Sequence, residues 1–294
     1  MTQTHETVLL KEAVDALAIR PDSTIVDTTF GAGGHAAEIV AELGVSGAYI
    51  GIDTDETALR HKLNESNNVT LVHGNFRDLT THLSELNLEH VDGILADLGW
   101  RMEQFSGNGR GFSFRHDEPL LMTLGDPSSY PFTARDIVNE WEEHVLADII
   151  YGYGEERFAR RIARRIVETR VETPIETSKQ LSDLIVSAYP AVARHGRTHV
   201  ATKTFQALRI AVNEELTVIE ELIEQGINLL APNGRLAIIT FHSIEDRVVK
   251  HAFRAAAAAE RGLVITKKPI TASPEELEVN PRSRSAKLRI FEKI

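Results

Sequence analysis

The 294-residue chain contains no cysteine. That excludes disulfides, thiolate-bound zinc, iron–sulfur clusters and a thiol nucleophile, and it suits a reducing compartment. Long hydrophobic runs are absent too. The most apolar stretch, residues 236–241, is far short of the ~20 residues that cross a bilayer. The polar start MTQTHETVLLKEAV lacks the basic flank and apolar run of an export signal. We therefore expect a cytoplasmic protein with no membrane partner. Positive charge is scarce as well: 32 Lys and Arg against 43 Asp and Glu leave a net charge of −11. Taken over the whole chain, that is the wrong sign for contact with nucleic-acid phosphates. What is present, 42% hydrophobic and 26% charged residues, is ordinary globular composition and excludes disorder, collagen and coiled coil.

The first hundred residues alternate β-rich runs (24–27, 48–53, 69–73, 93–97) with helical patterns (35–42, 56–64, 79–86). Such alternation with short connections implies a parallel sheet covered on both faces. The rhythm then stops. Residues 101–130 read as loop, and 134–150, 155–169 and 178–188 as helices, with Pro174 and Pro190 as breaks. A long helical pattern over 204–230 ends at Pro232-Asn233-Gly234. Strands at 235–241, 263–267 and 287–291 and a helix at 245–259 follow, the last two strands being expected as antiparallel neighbours. The simplest organisation is one α/β domain interrupted by a helical insertion.

The first strand runs into DTTFGAGGH at 27–35. Glycines let a ligand approach the backbone, and the helix that follows offers unpaired N–H groups. Asp53, ending the second strand, can accept hydrogen bonds from both ribose hydroxyls of an adenosine. Gly31-x-Gly33-x-x-Ala36 satisfies the dinucleotide fingerprint. S-adenosylmethionine fits better, because Asp27 suits its cationic amino-acid end and would repel a pyrophosphate. Phe76, after the third strand, can stack on adenine or simply join the core. Asp97, ending the fourth, can face a methyl acceptor or cap a turn.

Taken together, these motifs resemble the MraW family of ribosomal RNA small-subunit methyltransferases, which methylate the exocyclic N4 of a cytosine. The likeness runs from HETVLL at 5–10 to KLRI at 287–290. Its blocks are DTTFGAGGH at 27–35, RGFSF at 110–114, YGEERFARRI at 153–162, TFQALRI at 204–210 with Val212-Asn213, FHSIEDR at 241–247 and NPRSRS at 280–285. The resemblance implies an α/β, Rossmann-like S-adenosylmethionine-dependent methyltransferase core of mostly parallel strands with an inserted all-helical domain. We place the core at 1–105 and 204–294 and the insertion, expected to recognise substrate, at 106–203. It also implies cofactor contacts at Gly33, Gly34, His35, Asp53, Phe76, Asp97 and Gln104. The implied partner is small-subunit rRNA or the assembled small ribosomal subunit, and a homodimer is implied too. Two loops depart from the family pattern. Residues 100–106 read WRMEQFS where the family has a small Ser-Ser pair, and 117–125 read DEPLLMTLG, losing an arginine and two acids. Both are expected over the methyl-acceptor side.

The amine of cytosine is a weak nucleophile, so positioning and electrostatics should carry the rate. Asp97 is the first candidate acceptor for its N–H groups. His242 and Ser243, past the fifth strand, are the next, although Ser243 also suits an N-cap with Asp246 at the third helical position. With no Cys and no His-x-x-x-His pair, no metal site is expected. The target base must leave its stack, and Trp100 and Phe105 could hold it. For phosphate contact, Arg157, Arg160, Arg161, Arg164 and Arg165 recur at helical spacing on one face. Residues 154–210 carry a net +5 and residues 280–294 a net +4, so the remainder carries −20. Two alternatives stand: a diverged family member that binds RNA with altered or lost methyl transfer, and a nicotinamide-dependent oxidoreductase.

Overall fold

The computed structural model describes residues 6–56, 58–60, 63, 68–98, 109–194, 196 and 198–294. Its strands are β1 (Thr24–Asp27), β2 (Ala48–Asp53), β3 (Val69–His73), β4 (Val91–Asp97), β5 (Leu230–Thr240), β6 (Gly262–Val264) and β7 (Lys287–Lys293). Its helices are α1 (Leu10–Ala16), α2 (Gly34–Glu42), α3 (Leu79–Glu85), α4 (Ala134–Glu140), α5 (Glu143–Gly154), α6 (Ala159–Glu172), α7 (Ser178–Ala188), α8 (Thr202–Val212), α9 (Glu215–Leu229), α10 (Ser243–Ala258) and α11 (Pro274–Val279). The strands form one sheet in the order β3-β2-β1-β4-β5-β7-β6. The first five pair in parallel, and β7 runs antiparallel to both β5 and β6.

Strand periodicity sorts the core. Ile25, Tyr49, Leu95, Ala237 and Ile239 enter one apolar cluster, closed by α1 and α2. Their neighbours Val26, Ile50, Ile94, Ala96 and Ile238 enter the other, closed by α3, α9 and α10. Successive side chains point to opposite faces, so strands buried on both faces read as near-continuous apolar runs. This is the expected α/β core. The sequence reading missed α1, although Leu9, Ala13, Val14 and Leu17 are buried on one side of it.

The chain divides into two compact units: Met1–Gly99 with Leu216–Ile294, and Trp100–Glu215. The first holds the sheet. The second is helical, with α4–α8 around their own core of residues such as Ile137, Ile150, Ile162, Ile185 and Leu208. The return boundary falls after Glu215 rather than at 203/204, because Phe205, Leu208 and Val212 of α8 belong to the helical core. The expected continuous helix over 204–230 is two helices. Glu214 takes a left-handed φ of 49°, and the Asn213 side chain leaves the helix pattern to accept from Leu124 N and donate to Met122 O. The pattern over 134–150 is likewise split, by extended backbone at Trp141. The turn read at Pro232-Asn233-Gly234 is an irregularity inside β5, where pairing jumps from Val91–Leu230 to Gly93–Arg235. Of the helix expected at 56–64, the described residues include one short 3-10 turn, Ala58–Arg60.

The divergent stretch at 117–125 is part of the helical unit's core. Leu120, Met122 and Thr123 are fully buried, and Glu118 accepts a hydrogen bond from Gly111 N. Gly111 has φ +73°, and a Cβ there would lie 2.4 Å from the Pro119 carbonyl. This pairing explains why RGFSF and Val212-Asn213 belong together: both pin the same loop.

In the sheet unit, Asp246 opens α10 and accepts from Arg289 Nε at 2.6 Å and from Lys287 Nζ at 3.3 Å. Burial alone would raise its pKa, but the two cations outweigh that and hold the carboxyl below the ordinary aspartate value. Asp246→Asn leaves buried Arg289 without its counter-charge and is expected to cost about 3–5 kcal/mol, read by urea unfolding. A lowered carboxylate pKa stabilises the fold above the unfolded value of ~3.9 and loses that contribution as pH falls through the folded value. The wild-type-minus-variant difference should therefore shrink in acid. A variant as stable as the wild type contradicts this role.

Candidate functional site

The sheet has one topological switch point. From β1 the chain steps outward to β2 and β3, then returns to place β4 on the other side of β1. Ligands in open α/β sheets sit in the crevice at the carboxyl ends of such strands. The loop from Asp27 to Gly34, together with Asp53, Asn75–Phe76 and Asp97, lies at that edge, because every one follows or ends a parallel strand.

Asp27, which the sequence offers to a cationic ligand end, is 1% exposed, and protein donors take up its carboxylate. Its Oδ1 accepts from Thr29 N at 3.0 Å, and its Oδ2 accepts from the Tyr49 hydroxyl at 3.0 Å. Burial pushes this carboxyl above the ordinary aspartate value, while nearby His35 and the two donors act the other way. Tyr49, itself fully buried, is driven well above the ordinary tyrosine value by burial and by Asp27. Thr29 Oγ1 in turn accepts from Asp97 N at 2.7 Å. One hydrogen-bonded line therefore runs from β2 through β1 and the glycine loop to the end of β4. Sequence reasoning missed Thr29 and Tyr49. Both act across neighbouring strands, Tyr49 on Asp27 and Thr29 on Asp97, which a local pattern does not show.

The loop then folds over the end of β2. Gly31 N donates to Asp53 Oδ2 at 2.7 Å, and Asp55 N donates to Asp53 Oδ1 at 2.8 Å. Gly31 and Gly33 both have positive φ, 61° and 77°, which glycine adopts without a steric penalty. Gly33 precedes α2, whose amino terminus has no side-chain cap. Gly34 and His35 also anchor the amino-terminal segment: a Cβ on Gly34 would meet Thr7 Oγ1 at 1.8 Å, and buried His35 bonds to Val8 O through Nε2. Phe76 is half-buried and packs against the sheet's apolar cluster, beside Asn75, whose side chain caps the turn through Arg77 N.

The capping role expected of Ser243 falls to His242. His242 is the N-cap of α10, accepting from Glu245 N through Nδ1 while Glu245 Oε2 accepts from His242 N. The capping pair is thus one residue earlier than Ser243–Asp246, and Ser243 is the first helical residue. Gln104, Trp100 and Phe105 lie outside the described residues.

Within the helical unit, α6 buries Ala159, Ile162, Ala163 and Ile166 and exposes Arg160, Arg161, Arg164 and Arg165, with exposed Arg157 just before it. Arg164 lies 3.7 Å from Glu143, Arg165 lies 3.5 Å from Glu168, and Arg157 sits over the Phe158 ring. Among the described residues, Arg160 and Arg161 meet no carboxylate. Other basic side chains in this segment are structural: Arg170 bonds the carbonyls of Val138 and Trp141, and Arg194 those of Tyr189 and Ser187. The +4 of residues 280–294 is similarly reduced, since Arg289 and Lys287 serve Asp246 and Lys293 bonds Asn228 O.

A glycine loop leading to a helix start without a side-chain cap, with acids ending β2 and β4 of a mostly parallel sheet, is the arrangement of a Rossmann-like S-adenosylmethionine-dependent methyltransferase. The residues fit the cofactor. Among the described residues no side chain caps the first turn of α2, whose N–H groups suit a carboxylate, and Asp53 ends β2 with its carboxylate on the glycine loop. Residues 2–294 match the MraW methylase family, and the chain belongs to it. It is 45% identical to the ribosomal RNA small subunit methyltransferase H of Symbiobacterium thermophilum, an alignment covering 99% of this chain and 96% of that protein. Among solved structures, a candidate rRNA methylase from Clostridium thermocellum aligns with TM-score 0.45 at 14% identity, covering 99% of this chain and all of the other. An rRNA methylase from Streptococcus thermophilus aligns with TM-score 0.43 at 13% identity, covering 97% and 93%. Among the described residues, no helix is long and apolar enough to cross a membrane.

Two substitutions separate direct from indirect support. Asp53→Ala is expected to weaken S-adenosylhomocysteine binding by on the order of a hundredfold, the scale of losing a charged hydrogen-bond acceptor plus the loop tie. Tyr49→Phe, which only loosens Asp27, is expected to cost about tenfold. Calorimetric titration measures both, and unchanged affinity in Asp53→Ala contradicts the site.

Proposed function

We propose that this chain transfers a methyl group from S-adenosylmethionine to N4 of a cytidine in the 16S rRNA of the small ribosomal subunit. The observation that carries the reading is its near-full-length 45% identity to a ribosomal RNA small subunit methyltransferase H. The strand-end geometry supports it. When bound, S-adenosylmethionine supplies an electrophilic methyl group on a sulfonium centre. The backbone of Gly33, Gly34 and His35 receives the cofactor's carboxylate, Asp53 its ribose and Phe76 one side of its adenine, with Gln104 completing the set. Asp97, fixed through Thr29, accepts a hydrogen bond from the cytosine amine as the nitrogen lone pair becomes available for attack, and the amine proton displaced by the methyl group leaves along that hydrogen bond to solvent. A preorganised acceptor at such a position is worth two or more orders of magnitude in rate. His242 orients the start of α10 beside that edge rather than moving a proton. Arg160 and Arg161, with Arg157, provide the phosphate contacts of the helical unit.

The test is nucleoside mass spectrometry of 16S rRNA from cells with and without the gene. Loss of N4-methylcytidine on deletion, restored by the wild type, is the expected result. Asp97→Asn should restore little, with kcat in vitro lower by about a hundredfold and the KM for S-adenosylmethionine changed far less. Full restoration by Asp97→Asn removes the residue from the chemistry. RNA binding without any methylated product would instead favour the diverged reading motivated by WRMEQFS at 100–106. Reversing Arg160 and Arg161 to Glu should weaken RNA binding and flatten its salt dependence. For a single strand, the log–log slope should fall by about 0.7 for each phosphate no longer neutralised.

A further inference from the structure

The sheet unit carries a basic hollow that the methyl-transfer site does not use. It lies between α10 and the β6–β7 end of the sheet and measures about 240 Å³. Lys250, Arg254, Lys267 and Arg289 line it, and among the described residues no acidic side chain does. Phe253 and Val264 form its apolar part. In a chain where acids outnumber bases 43 to 32, four cations around one hollow without an acid is a local reversal of sign.

The state of those cations matters more than their number. Arg289 is buried and spoken for by Asp246. Lys250, Arg254 and Lys267 meet no carboxylate among the described residues, and Arg254 and Lys267 are exposed. Lys268, next to Lys267, is exposed as well. The buried Thr266 hydroxyl accepts from Ile290 N and keeps its own hydrogen to donate. Unpaired cations at the rim, a hydroxyl donor and a planar guanidinium already fixed by its partner make a site for a tetrahedral oxyanion.

The fold connects this hollow to the catalytic edge. Lys287 of β7 pairs in register with Thr240, the last residue of β5, and Arg289 pairs with Ile238. Helix α10 starts at the same edge and reaches Lys250 seven residues on, about 10 Å along its axis at 1.5 Å per residue. An extended polyanion entering the methyl-transfer edge therefore has a short path to the hollow along one face of one unit. A free phosphate would need no such path.

We infer that this hollow holds a backbone phosphate of the RNA substrate, a second anchoring point carried by the sheet unit in addition to the arginines of α6. The inference rests on the reading that RNA is the substrate. Its site is independent of the cofactor cradle.

The test is fluorescence anisotropy of a labelled small-subunit rRNA fragment over a series of KCl concentrations, with the full-length chain. The variants are Arg254→Gln with Lys267→Gln, and Lys250→Glu with Arg254→Glu and Lys267→Glu; Arg289 is left in place to keep Asp246 paired. The triple variant is expected to bind RNA at least tenfold more weakly, and its log Kd against log[KCl] slope should fall by about 0.7 for each phosphate it no longer neutralises. S-adenosylhomocysteine affinity should stay at the wild-type value, which shows that the unit is folded. RNA affinity and salt slope unchanged in the triple variant overturn this inference alone. A wild-type chain without salt-dependent RNA binding overturns the RNA reading and the inference with it.

Discussion

The buried carboxylate of Asp27 is the constraint on which the catalytic edge depends. Among the described residues it has no ion-pair partner, so its burial is compensated by hydrogen bonds, from Tyr49 on one side and the Thr29 amide on the other. Unpaired burial of such a group would cost several kcal/mol. The glycine loop consequently has little freedom. Thr29 is fixed by Asp27 and fixes Asp97; Gly31 is fixed by Asp53; the chain then enters α2 with its first N–H groups uncapped. Preorganisation of this kind is what a transfer to a weak nitrogen nucleophile requires, because the rate comes from placement rather than from a covalent intermediate. The absence of cysteine agrees with direct transfer.

The two units have separate cores. The sheet unit builds its interior from alternating strand residues, and the helical unit from amphipathic faces that leave arginines outside. An overall charge of −11 hides this distribution. Net charge taken by segment came closer but overestimated it, since several basic side chains close helix ends or neutralise buried acids. Arg170, Arg194 and Arg209 are examples, the last held by buried Glu215 at 2.8 Å. Among the described residues that meet no carboxylate are Arg160 and Arg161 of α6 and Lys250, Arg254 and Lys267 at the α10–β6 hollow.

Much of the fold was legible in the sequence because its signals are local. β1, β2 and β3 fall at 24–27, 48–53 and 69–73 and α7 at 178–188, as periodicity and flanking turns predict. Errors occur where a long-range contact decides. Periodicity continues through Asn213, but the side chain is drawn to the loop at 122–124 and the helix stops. Ser243 has the better capping chemistry by type, yet the register set by β5 gives the cap to His242. Asp27 was placed correctly at the strand end, but whether a strand-end acid points to solvent or into the sheet depends on the residue opposite. That residue is Tyr49, on a neighbouring strand and invisible to local pattern. The strand ends and the glycine loop were thus readable as positions, and the hydrogen bonds between them were not.

On the proposed function, the methyl donor sits at the switch point between β1 and β4, above the Asp27 hydrogen bonds. A crystal structure of the chain with S-adenosylhomocysteine tests it most directly. The expected result has the ribose hydroxyls on the Asp53 carboxylate, the amino-acid carboxylate against the first turn of α2, and Asp27 still bonded to Tyr49 and Thr29 beneath the ligand. A ligand bound away from these strand ends, or one whose ammonium group displaces Tyr49 or Thr29 from Asp27, would contradict it.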